Sequence, residues 1–211
     1  MALPAPPDPF PPFNTFILAA GARLVRLHDP NFTGDQPNPC KGGPTRFAPL
    51  HQAAGVCLPS LYAAATFECA VFESVFHDVP HTAADKFVPL GKVTSRAISW
   101  LELTVDLTLA GLHEPDLNKL RLTRADLIDT PPSAYPSTAR WAQAFHHADP
   151  ALTGLGWTSK RCDPGAAYVI FGDRLPPGAL QVTDRIEVAV SAHHLEQIRA
   201  VGRRAGITLT I

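Results

Sequence analysis

The chain has 211 residues, a formal net charge of -1, 45% hydrophobic side chains and 18% charged ones. That length buries a core without staples, and the composition excludes a disordered chain. The near-neutral charge excludes bulk attraction to nucleic acid or to an anionic membrane.

Residues 1–12 hold six prolines and no basic residue. This is the pattern of a polyproline-type arm, not of a secretory leader. No apolar run approaches the roughly 20 residues of a membrane-spanning helix. The expected organisation is a Pro-rich arm over 1–15 and one domain over 16–211, placed in the cytoplasm by default.

Residues 22–28 (ARLVRLH) alternate as a half-buried strand does. Residues 31–45 are rich in Gly, Pro, Asn and Asp and predict a long loop, closed by Arg46-Phe47. Such a loop inside a compact domain usually carries function. Residues 56–63 predict a second strand, with Pro59 weakening its first half. Thr66 can cap a helix running to about Val79, stopped by Pro80. Its apolar residues go nearly all the way round, so this helix is largely buried. Glu73 lies on it, beside Cys69, Ala70, Phe76 and His77.

Residues 92–109 predict a strand or bent strand pair. From Glu114 to Asp149 the pattern is short helices broken by prolines, clearest over 137–148. Strands are predicted over 155–160 and 166–172, then a turn at Pro176-Pro177-Gly178 and a strand over 180–190. Residues 193–205 form an amphipathic helix with a stripe of Leu195, Ile198, Val201 and Ala205, and Gly206 follows at the C′ position. A strand over 207–211 ends the chain. The pattern is that of a single mixed α+β domain.

The four cysteines, Cys40, Cys57, Cys69 and Cys162, show no zinc-type spacing. A chain of this size needs no disulfides, so they are expected to be unpaired, with Cys57 and Cys69 as small core residues. His146-His147 and His193-His194 point about 100° apart on helices and are poor chelators, so no metal site is expected. His77 follows Glu73 by one helical turn and is expected at the surface. Arg199, Arg203 and Arg204 give the last helix a basic face, read as solvated.

Five polar residues stand in apolar or glycine-rich settings: Arg26, Arg46, Tyr62, Glu73 and Ser159. Singly, each has a structural explanation, since ion-pair networks also bury charge. As a set they resemble the RES family, named for its Arg, Glu and Ser. The matching pieces are Leu24 to His28, Gly43 to Phe47 (GPTRF), Leu61 to Ala64, Ala70 to Glu73, and Gly154 to Ser159 (GLGWTS) followed by an apolar strand. The strand Tyr62 followed by the helix Glu73 is the most specific unit. The resemblance spans about residues 22–175. Two departures stand out: Ala48 replaces an Asn that often follows the Arg-aromatic pair, and residues 92–148 match only vaguely.

The resemblance implies a fold like that of ADP-ribosyltransferases, with central twisted sheets flanked by helices, and a reaction on NAD. It implies cleavage of the nicotinamide-ribose bond, with phosphate or water as acceptor, and no cofactor or metal beyond the substrate NAD and a co-substrate phosphate. It also implies a toxin held by an Xre-type helix-turn-helix antitoxin, and leaves a homodimer open. Direct nucleic-acid binding and membrane association are not implied.

The residue types suit that chemistry. Arg26 and Arg46 can grip a diphosphate, and Arg46 can serve an entering phosphate instead. Glu73, in a dry setting, can stabilise positive charge on ribose or hold a ribose hydroxyl. Tyr62 can stack on a cationic nicotinamide ring. Ser159 can hydrogen-bond the ribose or the carboxamide. Two other readings use the same pocket: a protein ADP-ribosyltransferase, and a non-catalytic module that binds NAD or a partner, to which Ala48 gives weight.

Overall fold

The computed structural model describes residues 3–52, 55–80 and 82–211. Along this chain the elements are β1 (Thr15–Leu18), β2 (Arg23–His28), β3 (Leu50–His51), β4 (Cys57–Leu58), β5 (Ser60–Ala64), α1 (Phe67–Phe72), β6 (Lys86–Pro89) and α2 (Leu90–Thr94). Next come β7 (Ala97–Leu103), β8 (Leu107–Gly111), α3 (Glu114–Lys119), α4 (Arg124–Leu127) and α5 (Tyr135–Ala148). The last elements are β9 (Gly154–Thr158), β10 (Ala166–Phe171), β11 (Leu180–Glu187), α6 (Ala192–Arg204) and β12 (Ile207–Thr210). The chain is a single α+β domain, as its sequence implies.

Eight strands form the main sheet in the order β1-β8-β9-β10-β5-β2-β7-β11. Only β8 and β9 run parallel in it; the other neighbours are antiparallel. Two small sheets, β12-β6 and β3-β4, flank it. Pro59 explains why the 56–63 strand comes in two pieces: it has no N–H for the ladder, so β4 and β5 part there.

The expected half-burial of β2 is exceeded. Leu24, Val25 and Arg26 are all buried in succession, because both faces of the strand are covered. Val25, Ala64 and Ile98 pack with α1 and α6 on one face. Leu24, Leu61, Leu101 and Ile170 form a second cluster. A third gathers around α5, where Trp141 and Phe145 meet Phe47 and Trp157. The Pro-rich arm lies on that cluster: Phe10 and Phe13 stack edge-on against Phe145, and the Trp141 indole donates to the Pro4 carbonyl at 2.8 Å.

Three expectations are corrected. The helix from Thr66 does not reach Val79. It is capped by the Thr66 hydroxyl, which accepts from the Cys69 amide, but it ends at Phe72. The Ser74 hydroxyl donates to the Ala70 carbonyl and the Phe76 amide reaches Val71, so turns replace the α-helical ladder. The segment expected as strand from residue 92 begins instead as the short helix α2, and the strand starts at Ala97.

The cysteines are not free. Cys40 bonds Cys57, and Cys69 bonds Cys162, with Cα–Cα separations of 6.0 and 5.3 Å. Each bond joins a loop to an element brought near it only by the fold, which cysteine spacing along the chain does not reveal.

The bonds close loops of 17 and 93 residues. Loop-closure entropy assigns about 3 kcal/mol to a loop of some 15 residues and about 4.7 to one of 100. The paired substitution Cys69→Ser with Cys162→Ser should therefore lower the melting temperature of the oxidised protein more than Cys40→Ser with Cys57→Ser. Thermal melts of the two double variants check this, and the reverse order would contradict the pairing.

Candidate functional site

β2 and β5 register through one residue pair, Val25 opposite Ala64. Past it the two strands part, and the loop that follows β2 wedges between them. Asn38 exchanges two backbone hydrogen bonds with Ser60, at 2.8 and 3.1 Å, in the place where β2 would otherwise pair. The Arg26 side chain fixes the same loop from the other side. Its Nη1 donates to the carbonyls of Gly34 at 2.8 Å and Gln36 at 2.7 Å. Gly34 has to be glycine, because a Cβ there would collide with Ser99 on β7. A cavity of about 430 Å³ opens where the strands diverge, and Arg26, Arg46, Tyr62 and Glu73 all line it.

Glu73 is the C-cap of α1, and its side chain is only 10% exposed. Two partners hold its carboxylate. The Ser159 hydroxyl donates to Oε1 at 2.6 Å, and Nη1 of Arg46 lies 3.5 Å from Oε2. Ser159, just past β9, is fully buried. Its oxygen also accepts from the amides of Arg161 and Cys162, both at 3.2 Å, so the hydroxyl proton is aimed at Glu73. The Cys69–Cys162 bond lies beside this contact: it ties the turn of α1 before Glu73 to the loop after Ser159.

Arg46 is buried as deeply as a core leucine, with 3% of its side chain exposed. Thr138 on α5 donates its hydroxyl to the Arg46 carbonyl. The guanidinium lies between Glu73 and His77, and Nη2 donates to His77 Nε2 at 3.4 Å. The matching tautomer carries its proton on Nδ1 and donates to Asp78 at 2.9 Å. His77 is thus part of the cluster, with 18% side-chain exposure, and not the surface residue expected. Burying Arg46 beside it explains the difference. The Tyr135 hydroxyl stands 3.3 Å from the same ring; burial pushes its pKa up.

Tyr62 anchors the loop as well as lining the cavity. Its oxygen accepts from the Phe47 amide at 2.8 Å and meets the Thr45 hydroxyl at 3.0 Å. Burial is the main cause that pushes its pKa up to about 12, so it stays a neutral phenol. Ala48, the departure from the family pattern, is a buried residue whose carbonyl accepts from the Thr45 amide and hydroxyl in the same turn.

All five residues singled out in the sequence therefore converge. Arg26, Arg46, Tyr62 and Glu73 share one cavity, and Ser159 backs the carboxylate from behind. Ser159 also borders a larger cavity of about 860 Å³, with Lys160 and Arg161 beside it. Burial lowers the Lys160 pKa. His28, at the end of the first motif, also lines the first cavity, as do Tyr135 and Arg96; the last two lie outside the motifs, so only the folded chain brings them in. Among the described residues no cluster of His, Cys, Asp and Glu could hold a metal ion, and no helix is long and apolar enough to cross a membrane.

The family model that matches the chain is that of the RES domain, over residues 22–193. A search of curated proteins finds no match. Among solved structures the fold is similar to a chain in the crystal structure of the M. tuberculosis MbcT-MbcA toxin-antitoxin complex, with a TM-score of 0.59 and 16% identity, covering 87% of this chain and 92% of that one.

His28 gives the site a pH signature. Its Nδ1–H donates to the Asp29 carbonyl at 2.9 Å, and its Nε2 accepts from the Ser99 hydroxyl at 2.8 Å. Burial first, and the Arg26 charge second, lower its pKa from 6.5 to about 4. The unfolded chain then binds a proton that the folded chain refuses, so this contribution to stability is complete above about pH 6.5 and is lost as pH falls toward 4. Melting temperature against pH should fall less steeply over that window in His28→Gln than in the parent. Parallel curves would contradict the buried neutral imidazole.

Proposed function

The chain belongs to the RES domain family, and on that premise we propose that it is an enzyme that cleaves the nicotinamide-ribose bond of NAD and passes ADP-ribose to phosphate or water. The observation that carries this reading is the buried Glu73 carboxylate, held by Ser159 and Arg46 on the wall of a cleft that Arg26 and Tyr62 also line.

The chemistry follows from charge. When the glycosidic C–N bond breaks, its electron pair leaves with the cationic pyridinium, which departs as neutral nicotinamide. The ribose keeps the positive charge, and no proton has to reach the leaving group. A charge about 4 Å from a carboxylate gains roughly 1 kcal/mol in bulk water and roughly 4 in the lower effective dielectric of a protein. Burial is therefore what makes Glu73 useful. A carboxylate has about four acceptor positions. Ser159 and Arg46 occupy one on each oxygen, which leaves one on each for a ribose hydroxyl. The Arg46 guanidinium, 3.5 Å away, offsets part of the cost of burying the carboxylate's charge. The Tyr62 ring offers a π face to the nicotinamide cation. A phosphate oxygen, or a water oxygen that gives up its proton to solvent, then bonds to the cationic ribose carbon.

An enzyme of this kind depletes NAD and harms the cell that makes it. The related fold in a toxin-antitoxin complex supports the reading that this chain is such a toxin with an antitoxin partner; an antitoxin of the Xre helix-turn-helix type and a place in the cytoplasm are added by the family resemblance alone.

The test is nicotinamide release from NAD by the purified chain, with and without inorganic phosphate. Phosphate-dependent release is expected for phosphorolysis, and phosphate-independent release for hydrolysis. Glu73→Gln should lower release by about a hundredfold or more, the scale of losing a preorganised electrostatic partner. Ser159→Ala should cost less, about tenfold, since it removes one hydrogen bond to a charged group. No release by folded parent protein would refute the enzymatic reading and favour a module that only binds NAD or a partner.

A further inference from the structure

The proposed substrate carries a diphosphate, and the two arginines of the family motifs are already engaged. Arg26 donates to Gly34 and Gln36. Arg46 faces Glu73 and His77 with its two amino groups, and only its Nε, like that of Arg96, is buried without a partner. A third guanidinium lines the same cavity. Arg96 follows α2 and immediately precedes β7, where Ala97 pairs with His28. It therefore sits beside the end of β2, about 10 Å along the strand direction from Arg26.

Arg96 makes no side-chain hydrogen bond and no ion pair within the described residues, and its Nε is buried without a partner. The nearby carboxylates lining the cavity are committed elsewhere. Asp29 accepts from the amide and the side chain of Asn31, both at 2.9 Å. Asp78 accepts from His77 and lies 3.9 Å from Lys92. Lys41, another cation on this lining, sits over the Phe32 ring and has no carboxylate partner among the described residues. The Arg96 side chain is half-buried, but its Nε is a buried donor, and buried donors in folded proteins are rarely left without an acceptor. A guanidinium fork fits two oxygens of a phosphate group.

We propose that Arg96 binds a phosphoryl anion at the end of the Glu73 cavity, most directly the diphosphate of a dinucleotide, and so positions the substrate without touching the reacting atoms. This rests on the NAD reading, but its binding test does not need turnover.

Calorimetric titration of the full chain with ADP-ribose should show about ten- to hundredfold weaker binding in Arg96→Ala. Arg96→Lys, which keeps the charge but loses the fork, should fall between that variant and the parent. Arg199→Ala, on the exposed face of α6, removes the same charge and should bind as the parent does. Circular dichroism and melting temperature establish that each variant is folded. In turnover, Arg96→Ala should raise KM for NAD and leave kcat near its parent value. A rise in KM for inorganic phosphate alone would keep the anion site and assign it to the acceptor. ADP-ribose binding that depends on Arg96, in a protein that releases no nicotinamide, would refute the enzymatic reading and leave this site standing. Parent-like affinity and parent-like KM for both substrates in Arg96→Ala, or no ADP-ribose binding by the parent, would overturn the proposal.

Discussion

A carboxylate removed from water has to be held, and much of this structure is arranged around holding one. Glu73 accepts a hydrogen bond from the Ser159 hydroxyl and faces the guanidinium of Arg46. Breaking a buried pair by removing one partner is costly, because the other charge is left stranded. That constraint passes outward. Arg46 needs Thr138 on its carbonyl and His77 at its other amino group. Ser159 needs two amides of its loop to aim its proton. That loop in turn is tied by Cys162 to the turn of α1 just before Glu73. Each support comes from a different element, so the cluster forms only when the sheet, α1, α5 and the loop after β9 are all in place.

The cleft itself comes from a failure of pairing. β2 and β5 are neighbours in the sheet, yet they register through one residue pair before a loop takes the outer position. Arg26 is the link between strand and loop. It is a strand residue whose side chain satisfies two loop carbonyls, of which that of the buried Gly34 would otherwise lack a partner. The same residue that marks the family therefore also keeps the cleft open.

The sequence was most legible where local rules decide. The strand over 22–28 reappears, though buried on both faces, as do the Thr66 cap, the Pro59 break and Gly206 after α6, the last with a positive φ of 70°. The five candidate residues were legible as motifs, and they converge. What escaped depends on contacts between distant segments. The cysteine pairs are set by where the loops land. The early end of α1 follows from the Ser74 hydroxyl taking the Ala70 carbonyl. His77 looked peripheral because its partners Arg46 and Tyr135 come from loops and helices far away in the chain. Arg96 carried no signal because an arginine before a strand is ordinary until its surroundings are known. The Cys69–Cys162 bond is the one whose loss would reach the site, because it braces the segments carrying Glu73 and Ser159.

In the proposed reaction this buried carboxylate stabilises positive charge on the ribose as nicotinamide leaves. The most direct measurement is the secondary isotope effect of deuterium at the ribose carbon of the breaking bond. It should be read by competition between labelled and unlabelled NAD in the slow Glu73→Gln variant, where bond cleavage limits turnover, and again in the parent. The account predicts a clear normal effect, since the carbon flattens and becomes cationic in the transition state. An effect indistinguishable from unity in the slow variant would contradict it, because no such charge would then have developed for Glu73 to meet.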